Sequence, residues 1–537
     1  MNPRVLYHIA RADFLERVRR YSFLVTLAFT LYAAFEANRG NIVVNVGQYR
    51  GIYNSAWVGL LLSLTATVLI TWIGFYIIKN TVERDRRTGV GQILASTPVD
   101  RVTYLAGKAL SNFAVVGVIA AILMCAALVM QLWRAEAAGI DLWQLVSPFL
   151  FLTLPALAFL AALAVLFECV PGLRGGFGNV FYFFCWVGLF GAGMELHNGY
   201  LDLVGADIVQ TSVVARAKDL PGYKGGFSFQ IGPHERKAFE TFVWDGFHWT
   251  AAQVIPRLSW FVFALLTLLL AAAFFDRFDP SRGLLHRVSL ALGLRSLRAA
   301  PAQPQTVDAQ TAAPDSLPAP SSATAPTHLT PLAQLQSTSR FGAVVAAELR
   351  LMLKGRSKWW YLVALGLLIG TCAAPAGEAQ GKVLAFAWLW PVLLWSAMGT
   401  REAQSGTGPL IFSSARALGR QLPAVWVAGV CVALLTSAGF GVRSLVARDW
   451  PHLFAWLTGA MFIPAMALVL GVWSGTSKLF EGLYTGFWYA GPVQPTPALD
   501  FMGASPVASP RITLYYFAAT LALLAAAAVG RRRQIRR

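Results

Sequence analysis

The chain has 537 residues, 56% of them hydrophobic and only 13% charged, against about 25% charged in an ordinary soluble domain. That balance excludes a wholly soluble globular class. The net charge of +18 does not point to nucleic acid either, because the basic residues fall between apolar runs and not on one folded face.

In chain order, residues 1–20 come first. Arg4, Arg11, Arg17, Arg19 and Arg20 are interspersed with Val5, Leu6, Ile9, Phe14 and Val18 at helical spacing. The pattern predicts an amphipathic helix lying in the inner interface, not a cleavable signal. Twelve charge-poor windows follow, at 22–36, 57–78, 109–133, 147–167, 179–194, 258–275, 359–376, 383–399, 421–442, 452–473, 479–494 and 512–530. Each reads as a membrane helix. Alternating sides from an inside N-terminus puts most Lys and Arg inside, as the positive-inside rule requires. Both termini are then cytoplasmic, with Arg531, Arg532, Arg533, Arg536 and Arg537 forming a basic tail at 531–537.

The long outer loop, 196–257, holds Phe227, Phe229, Trp244, Phe247 and Trp249. It reads as a small structured cap, serving either as a contact for substrate or partner or simply as a packed cover over the helix ends. Residues 277–340 form a linker. Its first part, 282–298, alternates Arg with Leu and is either a further interfacial helix or a plain basic connector. Its second part, 301–338, is rich in Pro, Ala, Ser and Thr and cannot bury enough apolar surface to order itself.

A repeat organises the chain. Residues 12–22 resemble 347–357, with Asp13 against Glu348, Val18 against Leu353 and Arg19 against Lys354. Arg84-Asp85 recurs as Arg401-Glu402, and Gly89, Gly91 and Ser96 recur as Gly406, Gly408 and Ser413. The expected fold is an all-α polytopic membrane protein. It has about twelve transmembrane helices in two six-helix repeats, 21–276 and 359–530, each preceded by an amphipathic interfacial helix, 1–20 and 341–358.

No phosphate-binding Gly-x-x-x-x-Gly-Lys-Ser/Thr loop, His-Glu-x-x-His helix or Gly-x-Ser-x-Gly elbow occurs. His234, Glu235 and His248 share the outer loop and read as exposed loop residues, with a metal site as the alternative. The five cysteines have no ligand or disulfide spacing. The acids Glu36, Glu168, Glu195 and Glu481 lie near helix ends, where each can snorkel toward headgroups. The loop 79–108 is what remains. Gly89 and Gly91 break any single helix across it. Gln92-Ile93-Leu94-Ala95 forms a short turn with an apolar side, which Pro98 ends. Such an element suits docking into a groove of a soluble partner, or is a solvated connector.

The run Glu83-Arg84-Asp85-Arg86-Arg87-Thr88-Gly89-Val90-Gly91-Gln92-Ile93-Leu94-Ala95-Ser96-Thr97-Pro98, followed by Gly107-Lys108, resembles the signature loop of ABC transporter permeases of the type-2 exporter family. The resemblance is best over 1–130. It implies a permease subunit of the bacterial cytoplasmic (inner) membrane, without catalytic residues or a cofactor of its own. Two separate ATPase subunits would bind ATP and Mg, and an unidentified substrate would be exported through the lipid bilayer. It also implies that Glu83, Arg84, Gly89, Leu94, Pro98, Gly107 and Lys108 form the ATPase-coupling loop. A second coupling-like loop, 400–423, would carry Arg401, Glu402, Gly406, Gly408 and Ser413. That copy departs from the first, with Ala415 at the proline position and no Gly-Lys at 424–425. The alternatives are an ion-coupled secondary carrier with twelve spans, or a membrane enzyme using the outer loop.

Overall fold

The computed structural model describes the chain except for residues 1, 20, 135, 138, 197, 222, 224, 232–238, 280–340, 376, 414–416, 494–496, 506–507 and 537. The expectations for 282–298, 301–338, His234, Glu235 and Ala415 therefore lie outside the described residues.

Helix α1 (Pro3–Val18) starts where Asn2 accepts from the backbone N–H of Arg4, with Pro3 in the first turn. It buries Ala10, Asp13 and Arg17, one stripe at helical spacing that carries charge as well as carbon. Next come α2 (Tyr21–Arg39), strands β1 (Ile42–Val46) and β2 (Tyr49–Gly51), and α3 (Ser55–Ile78), which is buried along nearly its whole length. Two short helices follow, α4 (Thr81–Arg87) and α5 (Val90–Ser96), then the long α6 (Arg101–Arg134). Helix α7 (Leu142–Pro148) runs through a π turn into α8 (Leu154–Cys169) and is followed by α9 (Gly176–Glu195). The first half closes with α10 (Ala206–Ala217), β3 (Phe227–Ile231), β4 (Glu240–Phe242) and α11 (Ala251–Phe274).

After residue 340 lie α12 (Phe341–Leu353), α13 (Lys358–Ala373), α14 (Glu378–Leu389), α15 (Val392–Trp395), α16 (Arg401–Ser405) and α17 (Gly408–Phe412). They are followed by α18 (Ala417–Thr436), α19 (Ala438–Val446), α20 (Trp450–Ser474), α21 (Lys478–Trp488) and α22 (Pro510–Arg536). Residues 531–536 are thus the last turns of α22 and not a tail.

Eight helices are long and apolar enough to cross a membrane: Ser55–Arg87, Arg101–Arg134, Leu142–Cys169, Gly176–Glu195, Ala251–Phe274, Leu418–Thr436, Trp450–Ser474 and Pro510–Ile535. The protein is a helical membrane protein on this ground. The other four windows do not qualify. Window 22–36 lies in α2. Window 359–376 falls in a helix of 16 residues. Window 383–399 is divided between α14 and α15 at Pro391, which has no N–H to continue the ladder. Window 479–494 is an 11-residue helix passing into a π turn around Pro492.

One element departs from an all-α fold. The four strands form a sheet in the order β3-β1-β2-β4. The β1–β2 hairpin pairs with strands from the 196–257 segment, in register from Ile42↔Ile231 to Val46↔Phe227 on one side and Tyr49↔Glu240 on the other. The cap is therefore built from two loops. Arg257, fully buried, ties it down by donating to the carbonyls of Phe151 and Leu152 at the π turn and of Asp202 and Leu203 in the cap.

The two halves meet where α21 lies on α3 and α9. A Cβ on Gly486 would fall 1.8 Å from the Trp72 ring, and one on Gly482 2.9 Å from the Tyr76 ring. Only glycine lets the helices approach this closely. Beside them Phe184 meets Trp488 and Phe183 meets Tyr489 at ring separations of 5.8 and 6.0 Å.

Candidate functional site

The loop between α3 and α6 is held from both ends. At its start α4 needs partners for the N–H groups of its first turn. The Glu168 carboxylate supplies them, accepting from the backbone of Asn80 (2.7 Å), Thr81 (3.0 Å), Val82 (2.7 Å) and Glu83 (3.0 Å), and from the Thr81 hydroxyl. A negative group at a helix N-terminus also complements the partial positive charge of that end. Glu168 and Glu481 are 2% and 1% exposed, so neither snorkels, which corrects that expectation.

Beneath α4 lies a buried charge cluster. Asp13 on α1 meets Lys108 (3.0 Å) and Arg17 (3.1 Å), accepts from the Ser111 hydroxyl (2.8 Å) and pairs with Arg84. Asp85 meets Lys108 (2.8 Å) and Arg84 (3.4 Å) and accepts from the Tyr104 hydroxyl (2.8 Å). Arg84 also pairs with Glu16. Burial alone would push Asp13 up. The charges of Arg17, Lys108 and Arg84 outweigh it and hold the carboxyl well below the usual range. Gly107 is where α1 crosses α6, since a Cβ there would fall 2.7 Å from Ile9.

The tip is different. Gly89 sits at φ +77°, a left-handed hinge between α4 and α5 that glycine adopts freely. Gly91 is helical and packs against Phe278, so only Gly89 breaks the helix. Glu83 pairs along α4 with Arg87 at 3.0 Å. Leu94 is half-buried against the Tyr104–Phe275 cluster, while Ile93 is 68% exposed. Pro98 is exposed just beyond the end of α5. The segment after α11 returns to brace the tip. Asp276 pairs with Arg86 (2.9 Å) and Arg174 (3.3 Å), and Arg277 donates to the Thr97 carbonyl.

The second loop follows the same plan with altered parts. Arg401 pairs with Glu348 on α12 at 3.3 Å. Glu402 accepts from Gln421 at 2.9 Å, as Asp85 accepts from Tyr104 at the same sequence spacing. Gly406 is left-handed at φ +65° between α16 and α17. Gly408 opens α17. Leu410 is 78% exposed, at the position of Ile93. The Ser413 hydroxyl donates to the Leu410 carbonyl at 2.8 Å, as Ser96 does to Ile93. Val425 occupies the position of Lys108, and Arg531 on α22 reaches Glu402 at 3.3 Å. Burial raises Glu348, and Arg401 offsets this only in part.

Both loops lie at one end of the molecule. Lys79, next to α4, donates to Asn179 (2.7 Å) and to the Leu173 carbonyl (2.8 Å). The Asn179 amide donates to Glu481, and Lys478 donates to the Lys79 carbonyl. Lys478 follows the end of α20, where Gly471 abuts Met398 and Thr400 at the base of the second loop.

Of the residues singled out from sequence, Arg84, Lys108, Arg401 and Glu402 enter the buried clusters. Glu83, Gly89, Pro98, Gly406, Gly408 and Ser413 stay at the tips. Sequence reasoning passed over Tyr104, Glu168, Asp276, Gln421 and Arg531 as working parts. A signal existed for Asp13 and Glu348, whose acids align between residues 12–22 and 347–357. None existed for Asp276 or Arg531, whose partners are far away in sequence. Among the described residues no cluster of three His, Cys, Asp or Glu side chains is arranged for a metal. Comparison with known proteins finds no matching family model, no matching curated protein and no matching solved structure.

Proposed function

We propose that this chain is the membrane-spanning permease subunit of an ATP-binding-cassette exporter, with two six-helix halves of one design fused in sequence. The loop-bearing end faces the cytoplasm of a bacterial cell, as do both termini. Two copies of a separate ATPase dock on the loops, and ATP chemistry resides wholly in them. The exported substrate passes between the halves.

One observation carries this reading. Two loops at the same end of the molecule each present an exposed aliphatic side chain, Ile93 or Leu410, on a short helix behind a left-handed glycine. Each is clamped through an Arg-acid pair, Arg84 to the buried Asp13 and Arg401 to the half-buried Glu348. An apolar tip on a rigid mount suits a soluble partner's groove and transmits force, which a solvated connector does not do.

The test is co-purification with the candidate ATPases encoded nearby, followed by Ile93→Asp and Leu410→Asp. Capture that the two substitutions abolish together supports the proposal. Capture by no ATPase, or capture indifferent to both substitutions, refutes it. Substituting Glu83 or Gly89 should separate ATP hydrolysis from transport without unfolding the protein.

The buried Glu481 at the junction of the halves favours a second reading, an ion-coupled carrier. That reading predicts transport that persists without any ATPase and collapses with an ionophore.

A further inference from the structure

The first loop takes its buried cation from α6, through Lys108. The second loop has no cation at that position, and Val425 there is 5% exposed. Yet Glu402 is itself buried and faces a charge, because Arg531 arrives from α22. Arg531 is 3% exposed. Its guanidinium reaches Glu402 in α16 at 3.3 Å and lies 5.1 Å from the centre of the Phe412 ring in α17, so it grips both short helices. Gln534, one turn on, accepts from Arg531 at 3.1 Å and donates to the Val472 carbonyl at 2.7 Å, fixing the end of α22 to α20.

We infer that Arg531 is the positioning residue of the second loop, supplying from α22 the charge that Lys108 supplies to the first loop from α6. The first loop thus draws both its cation and its Tyr104 hydroxyl bond from α6, whereas the second keeps a neutral bond to α18 through Gln421 and takes its cation from α22. A displacement of the first loop acts on α6. The same displacement of the second acts on α22 as well as on α18. Two similar docking events therefore pull on helix sets that differ by α22. The bracing stands on this geometry alone, and its meaning for coupling rests on the permease reading above.

The test needs no ATPase. In a cysteine-free background, nitroxide labels are placed at Leu410 and Val446 to report the second loop, and at Ile93 and Val243 to report the first. Pulsed-EPR distances are measured on the whole protein in nanodiscs. Arg531→Ala is expected to abolish the single narrow 410–446 distance and leave 93–243 unchanged. Adding Val425→Lys, which rebuilds the first loop's arrangement, is expected to restore the narrow distance, a rescue that general packing by α22 would not give. Unchanged distances in Arg531→Ala, equal broadening of both pairs, or failure of Val425→Lys to rescue overturns the inference. Should Arg531→Ala not fold, Glu402→Gln removes the partner instead and must broaden only the 410–446 pair, and an unaltered distance there overturns it equally. If the bracing holds and no candidate ATPase is captured, the permease reading falls and the bracing remains.

Discussion

Asp13→Asn changes two atoms' chemistry and almost no volume, and it removes the acid on which the first loop is mounted. The Asp13 side chain is 2% exposed and Lys108 is 4% exposed, so solvent screens their attraction little. In the native cluster Arg17, Arg84 and Lys108 face Asp13, Asp85 and Glu16, three charges against three. The substitution leaves one buried positive charge in excess. Removing one member of a buried pair costs about 3–5 kcal/mol. The low end applies, because Lys108 keeps Asp85, Arg84 keeps Asp85 and Glu16, and Arg17 keeps Asn112 and the Ile78 carbonyl. A loss of about 3 kcal/mol, roughly a hundredfold in the folded-to-unfolded ratio, is expected in reversible SDS-titrated unfolding from bicelles. Glu83→Gln, which touches only the partly exposed pairs with Arg86 and Arg87, should cost no more than about 1 kcal/mol. Adding Lys108→Met to Asp13→Asn should recover part of the loss, since both charges then leave together. A cost below about 1 kcal/mol for Asp13→Asn, or strict additivity with Lys108→Met, refutes a mutually dependent buried cluster.

Further outcomes follow from other contacts. Glu168→Gln keeps the shape but turns amide hydrogens toward the α4 N-terminus. It should cost about 2–3 kcal/mol and speed hydrogen exchange at residues 80–83, and protection that stays native there removes Glu168 as the cap. Gly486→Ala drives a methyl into Trp72 and should destabilise by about 1–3 kcal/mol, read as a lower unfolding midpoint with Trp72 fluorescence altered. Asn179→Leu breaks the link from Lys79 to Glu481, so cysteine cross-links between α9 and α21 should slow, whereas unchanged rates mean the aromatic seam alone joins the halves. The loops should also differ in mild acid. Folding raises Glu348, so that group favours folding least at neutral pH and takes up a proton before the ordinary carboxylate range is reached, releasing Arg401. Folding lowers Asp13, so its contribution is complete above the ordinary carboxylate range and is lost only far below it. A spin label at Leu410 should therefore gain mobility between neutral pH and the carboxylate range while one at Ile93 does not, and equal responses would contradict the assignment.

Much of the fold was legible because lipid imposes a simple rule. Apolar stretches such as 57–78 and 452–473 have to be helices, and they are. Legibility stopped where a proline or a length limit intervened without changing the hydrophobic pattern. Pro391 divides the window at 383–399, and the window at 479–494 holds an 11-residue helix. The strands at 42–51 were hidden for a different reason. β1 is buried at every position and so shows no period-2 alternation, and the partners that complete the sheet, Phe227–Ile231 and Glu240–Phe242, are far along the chain.

The loops show the same division more sharply. The left-handed glycines and the Arg-acid pairs are local, so Gly89, Gly406, Arg84 and Arg401 announced themselves. What mounts the loops is not local. Glu168, Asp276 and Arg531 each sit at the end of a long helix and look in the sequence like anchors at a membrane boundary. A boundary residue near headgroups and a buried residue bracing a loop obey the same sequence rule, a charge just outside an apolar run. They differ only in what folds over them. For Arg531 that is Glu402 and Phe412. The basic end of α22 thus follows an apolar run as a boundary anchor would, and mounts the second loop with the same side chain. Where the first loop has Gly107-Lys108 the second has Ala424-Val425, and its buried cation comes from a different helix, so the two loops are closer in structure than their sequences suggest.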